Sequence, residues 1–240
     1  MTIQPNSFEY SILWILTIIL IIAKGCFILY LVNKVHIRKK ETGKLQIDFL
    51  FSVLIVIIGL FFARILYFYF DFYLTEFDPE KYYLIPNIFY WKTATFIAQF
   101  SVALFLLIFD KKVLKFRLKG ILFIIALAVA LFQLLYPVYT AEDFALISGA
   151  GMLVNFTFIV PMIIFLYIGI KTPGLRASTF TFVFGLVIYF IGSMILSEII
   201  IAPLVASYGS SIRVVVFLIS SILKIFGLIL VIYGAAKFYI

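Results

Sequence analysis

Long apolar runs, broken by short charged or turn-forming segments, set the pattern of this chain. A helix needs about 20 apolar residues to cross the hydrocarbon layer of a bilayer. Seven stretches meet that length, at 11–34, 47–71, 87–109, 120–140, 148–170, 178–205 and 212–236. Gly43, Pro79, Gly149, the Pro173–Gly174 pair and Gly209 punctuate them. The runs are continuously apolar, whereas the strands of a membrane barrel are about ten residues of alternating character. Hydrocarbon offers no water to open backbone groups, so helices are the remaining solution. The pattern predicts an all-α polytopic membrane protein, one domain over 1–240 built as a seven-transmembrane-helix bundle.

Composition strengthens this reading. Of 240 residues, 65% are hydrophobic and 12% charged, against about 45–50% and about 25% in soluble domains. The lone cysteine, Cys26, lies in the first run, which excludes a disulfide within the chain and a cysteine-only metal site. The formal charge of +8 would point to nucleic acid in a soluble protein, but here its distribution gives it another use. Thirteen basic residues fall on one side: five in 34–44, five in 111–119, then Lys171, Arg176 and Lys237. Lys81 and Arg213 lie on the other side with Glu9, Asp71, Glu76, Asp78, Glu80, Glu142 and Asp143. The positive-inside rule then predicts an outside N-terminus, a cytoplasmic C-terminus and a multi-pass protein of the cell membrane, with no nucleic-acid partner. The first ten residues carry no Lys or Arg and no small-residue cleavage site precedes the first span, so that span is expected to act as its own insertion signal.

Several chemistries lack their residues. His36 is the only histidine and lies in the first basic loop, so histidine-rich metal centres, bis-histidine haem and a membrane serine protease have no ligands or base. Every Asp sits at a span end or in a loop, and no glycine-rich phosphate loop is present. No catalytic activity, metal or cofactor is predicted.

Polar residues inside the spans carry what functional signal remains, because a charge in hydrocarbon costs about 2.5–3.5 kcal/mol on insertion scales. Lys24, Arg64, Lys92, Glu198 and Lys224 are such charges. At about 1.5 Å per residue, Arg64, Lys92 and Glu198 fall roughly 10 Å below the outer surface, level with Gln133 and Asn155. Lys92, Thr95 and Gln99 share one helix face; Arg64, Tyr67 and Asp71 share another, and Ser197 stands beside Glu198. This predicts an outward-facing polar cavity with an Arg64–Glu198 ion pair at its floor and Lys92 as an unmatched cation suited to a small anionic ligand. The predicted ligand-binding set is Lys24, Arg64, Lys92, Thr95, Gln99, Gln133, Asn155, Glu198 and Lys224. A plainer reading has Arg64 and Glu198 locking two helices while Lys92 reaches to the headgroups. Lys224 is about 18 Å from either end of its helix, beyond the reach of its own stem, and Ser220 and Ser221 lie one turn away to accept its hydrogens.

A lysine in the middle of the seventh span resembles the arrangement of retinal-binding rhodopsins. The likeness covers span number and Lys224 alone; Thr95 and Gln99 stand where the third span would need an acidic counterion, and the sixth span has no tryptophan. Three functions from different classes fit the pattern. One is a sensor or receptor-like protein that passes a shift to a cytoplasmic protein at the basic loops 34–44 and 111–119. The second is a transporter or channel using the same cavity, with Lys24 and Lys224 as a deep switch and Pro161 as a helix break. The third is a structural or assembly subunit whose polar residues only hold helices together.

Overall fold

The computed structural model of the chain describes residues 7–196, 198–209 and 212–238, apart from the side chains of residues 198, 199 and 202. Among the described residues the regular structure is helical, with no strand. Helix α1 (Phe8–Thr42) opens on Ser7, whose side chain accepts from the Tyr10 amide, and closes on Gly43 in the left-handed region. Asp48 caps α2 (Phe49–Tyr69) in the same way through the Phe51 amide. The helix then widens into a π turn over Phe70–Leu74. Helix α3 (Asn87–Lys112) follows, then α4 (Ile121–Leu135). A reciprocal capping box between Thr140 and Asp143 starts α5 (Ala141–Thr157). Helices α6 (Ile159–Lys171), α7 (Arg176–Met194), α8 (Glu198–Tyr208) and α9 (Ile212–Ala236) complete the chain.

Among the described residues, six helical segments are long and apolar enough to cross a membrane: α1, α2 with its π turn, α3, α5 joined to α6, α7 with the turn before it, and α9. The chain is therefore a multi-pass membrane protein. The expected fourth span, 120–140, is a shorter helix of 15 residues. It stops at Tyr136 because Pro137 forces the residue before it into extended backbone. The fifth span starts earlier than predicted, at the Thr140 cap, and breaks at Phe158. Pro161 has no amide hydrogen to return to the Thr157 carbonyl, and Phe158 N instead donates one residue short, to Asn155 O at 3.1 Å. The sixth is also interrupted, since α7 ends at Met194 and α8 begins at Glu198.

The helices pack as a ring in which α1 touches α2, α2 touches α3, α3 touches α4, α4 touches α5, α6 touches α7, α7 touches α9 and α9 returns to α1. The α7–α9 contact is the closest. A Cβ built on Gly185 would lie 2.6 Å from Val231 N, and one on Gly227 would lie 2.7 Å from Tyr189 N. The two backbones touch there, which only glycine permits. At the end of the ring that carries the basic loops, Phe49, Phe109, Phe165, Phe182 and Phe238 form a plug. Phe49 is 4.9 Å from Phe165 and 5.1 Å from both Phe182 and Phe238, and Phe165 is 4.8 Å from Phe182. These are favourable tilted and edge-on spacings.

Gly227→Leu is expected to part α7 from α9 and lower stability by about 1–3 kcal/mol or more, the usual range for overpacking. Gly149→Leu, where a new Cβ meets open space, should leave the melting temperature in detergent nearly unchanged. Equal melting temperatures for the two variants would refute the backbone contact.

Candidate functional site

Within the ring, between the helices and above the phenylalanine plug, lies a cavity of about 210 Å³. Helices α2, α3, α5, α6, α7 and α9 all contribute to its wall, as does Phe158 at the α5–α6 break. Val53, Val102, Phe105, Phe182, Leu228 and Val231 line the half nearer the plug. Gln99, Asn155, Tyr189 and Ser193 supply its polar groups, with Tyr189 and Ser193 in the last turns of α7, away from the plug. The cavity is thus graded from apolar to polar along its length. Among the described residues its lining carries amides and hydroxyls but no histidine, carboxylate or ammonium group.

Gly151 brings the two glutamines together. A Cβ at this position would lie 3.2 Å from Gln133 Nε2 and 3.3 Å from Gln99 Nε2, so α5 offers a bare backbone to side chains arriving from α4 and α3. Gln133 is buried and donates to the Ile147 carbonyl of α5. The Oε1 atoms of Gln99 and Gln133 are buried without a hydrogen-bond partner among the described residues, a costly state that an added donor would relieve.

The predicted cations divide into separate settings. Lys24 Nζ donates to the Leu60 carbonyl at 2.9 Å, and one Arg64 nitrogen donates to Thr17 Oγ1 at 2.8 Å. Arg64 also lies 3.9 Å from Asp71 and 5.6 Å from the centre of the Phe217 ring. Lys24 and Lys224 both lie within electrostatic range of Arg64 and, for Lys24, of Lys224. The structure therefore brings Lys24, Arg64 and Lys224 together among α1, α2 and α9. Tyr67 and Thr95 share a hydrogen bond at 2.5 Å and join this group to α3. Ser220 is turned away from Lys224, for its hydroxyl donates to the Gly192 carbonyl on α7 at 2.5 Å.

Lys92 stands elsewhere. It is 7% exposed, and its ammonium donates to the carbonyl of Tyr136 at the end of α4. There it binds an otherwise open carbonyl and complements the negative end of the helix dipole. It does not line the cavity, and its hydrogen-bond partner is a neutral carbonyl. The Glu198 side chain and Ser197 lie outside the described residues, so the predicted Arg64–Glu198 pair falls there too. Of the predicted set, Gln99 and Asn155 line the cavity and Gln133 abuts its Gly151 wall. Reading the sequence missed Tyr189 and Ser193. Both fit an ordinary apolar helix, and only the position of α7 in the ring turns them inward.

No protein-family model, no curated protein and no solved structure matches this chain.

Replacing Lys92 with Met should strand the Tyr136 carbonyl and cost about 1–3 kcal/mol. Lys92→Cys in a Cys26→Ser background should remain unlabelled by an impermeant thiol reagent, and rapid labelling would place residue 92 in a water-filled vestibule instead.

Proposed function

We propose that this protein binds a small, neutral, largely apolar molecule inside its helix ring and acts as a receptor-like membrane protein. One observation carries the reading. The cavity pairs an apolar half against the phenylalanine plug with a polar half containing Gln99, Asn155, Tyr189 and Ser193. Such concave, mostly apolar sites with a few placed polar groups are the usual form of small-molecule pockets. An engineered cavity of about 150 Å³ accepts benzene, so about 210 Å³ suits one aromatic or short aliphatic body with a hydrogen-bonding group. Neutral lining argues for a neutral ligand in place of the anion predicted from Lys92. Binding without catalysis is what an amide-and-hydroxyl lining supports.

In this reading the chain crosses the cell membrane seven times, with α4 as a short fourth pass and α7 with α8 as the sixth. The N-terminus is outside and the C-terminus cytoplasmic, as the loop charges favour. Occupancy would be passed to a cytoplasmic protein at the basic loops 34–44 and 111–119. Two interrupted spans favour a second reading, transport, because broken helices beside a central site are its usual signature. The break at Phe158 borders the cavity itself. A structural or assembly subunit is the remaining reading if the cavity accepts nothing.

Indole serves as a neutral probe and indole-3-acetate as its charged counterpart. Indole should raise the melting temperature in proportion to the logarithm of its concentration above Kd, by an equivalent of about 1.4 kcal/mol at tenfold excess over Kd, while indole-3-acetate should not. Ala98→Phe, which fills the cavity from its α3 wall, should abolish the effect without unfolding the protein. An indole response retained in Ala98→Phe would place binding outside the cavity. Indole release from proteoliposomes faster than from empty liposomes would favour transport over reception.

A further inference from the structure

The two basic loops meet at a second cavity, of about 620 Å³, at the plugged end of the ring. Lys44, Leu45, Ile47 and Phe49 line it from one loop and the start of α2, and Lys112 and Val113 face them from the end of α3. Its other charged residues have different standing. Arg38 is bound to Asp48 at 2.7 Å and also reaches the Ala236 and Phe238 carbonyls, so it fastens α1 to the end of α9. Glu41 is an exposed carboxylate on the rim. Lys44 and Lys112 are exposed cations that open on the same space.

The α3–α4 side of this cavity is built to hold a shape. Asp110 is buried, and its carboxylate accepts from the Leu118 amide at 3.0 Å and the Gly120 amide at 2.7 Å. Phe116 N returns to the Asp110 carbonyl at 2.8 Å. The loop so closed holds Lys115, Phe116 and Lys119 in the left-handed region, a strained state for residues other than glycine. Leu114 and Leu118 pack inward, while Lys111, Lys115, Phe116, Arg117 and Lys119 are exposed. The Lys111 ammonium lies 5.9 Å from the Phe116 ring centre. A loop needed only for its charge has no use for this frame.

We propose that the cavity between the two basic loops binds the phosphate headgroup of an anionic phospholipid, with Lys44 and Lys112 as its phosphate contacts. Leu45 and Ile47, which line the cavity with these cations, are large, apolar and exposed, as is Phe116 on the loop that follows Lys112. A soluble phosphate compound would leave them in water, whereas the glycerol and upper acyl chains of a lipid cover them. Basic pockets at the ends of membrane helices recognise acidic headgroups through this combination of charge and apolar rim. The site is separate from the ring cavity: the phenylalanine plug lies between them, and Phe49 contributes to both the plug and this pocket.

Native mass spectrometry of the full chain in detergent, with equal phosphatidate and phosphatidylcholine, tests the site. Phosphatidate should be retained preferentially. Lys44→Gln with Lys112→Gln should lower that preference about 30-fold, from roughly fivefold per lysine near an anionic surface. Lys44→Arg with Lys112→Arg should keep it and shows that the double variant folds. Glycerol 3-phosphate in excess should not displace the lipid. Equal retention of both lipids, an undiminished preference in the glutamine variant, or displacement by glycerol 3-phosphate would each overturn the assignment. Indole binding is unaffected in every case, which separates this test from that of the ring cavity.

Discussion

Hydrocarbon supplies no hydrogen bonds, and that single deficiency organises this molecule. It forces the backbone into helices, and it makes a polar side chain carried within a span costly unless it finds a partner in protein. The partner is repeatedly a main-chain carbonyl. Lys24 takes that of Leu60, Lys92 that of Tyr136, Gln133 that of Ile147 and Ser220 that of Gly192. Each bond joins two different helices, so polar residues here position the ring. Carbonyls left open at helix ends are strong acceptors, and Lys92 occupies one of them.

Where the ring closes and where it stays open both follow from side-chain volume. At Gly185 and Gly227 there is none, and α7 meets α9 backbone to backbone. At the plug, five phenylalanines fill the end of the bundle. Between these two regions the α5–α6 strand of the ring bends at Phe158, and Gly151 offers no side chain to fill the space behind it. The cavity is what remains. Its position is a consequence of the break, and the break is a consequence of Pro161 and its missing amide hydrogen.

Much of the fold was legible in the sequence because hydrophobic length is a local property. The six long spans overlap the apolar runs. The fourth span was overestimated because its apolar run continues past Leu135 into Tyr136 and Pro137, where backbone geometry stops the helix before hydrophobicity does. The candidate site was legible only in part. Gln99, Gln133 and Asn155 were picked out as deep polar residues and do gather around Gly151 and the cavity. Depth along a helix was readable; direction around it was not. Lys92 has nearly the depth of Arg64, yet it turns towards α4 while Arg64 turns towards α1 and Phe217. Carbonyl partners leave no trace in sequence at all, since every residue has one.

The cavity and the cation group share a wall, which gives the ring a means of coupling them. Leu60 lines the cavity and holds the Lys24 ammonium with its carbonyl. Tyr189 lines the cavity from α7 and lies within electrostatic range of Arg64. An occupant that displaces either residue therefore acts on charges held in low dielectric, where small movements carry large energies. Arg64 in turn leads to Asp71 in the π turn and to Thr17 on α1. The same wall separates two chemistries: apolar bulk and amides on one side, three basic side chains on the other.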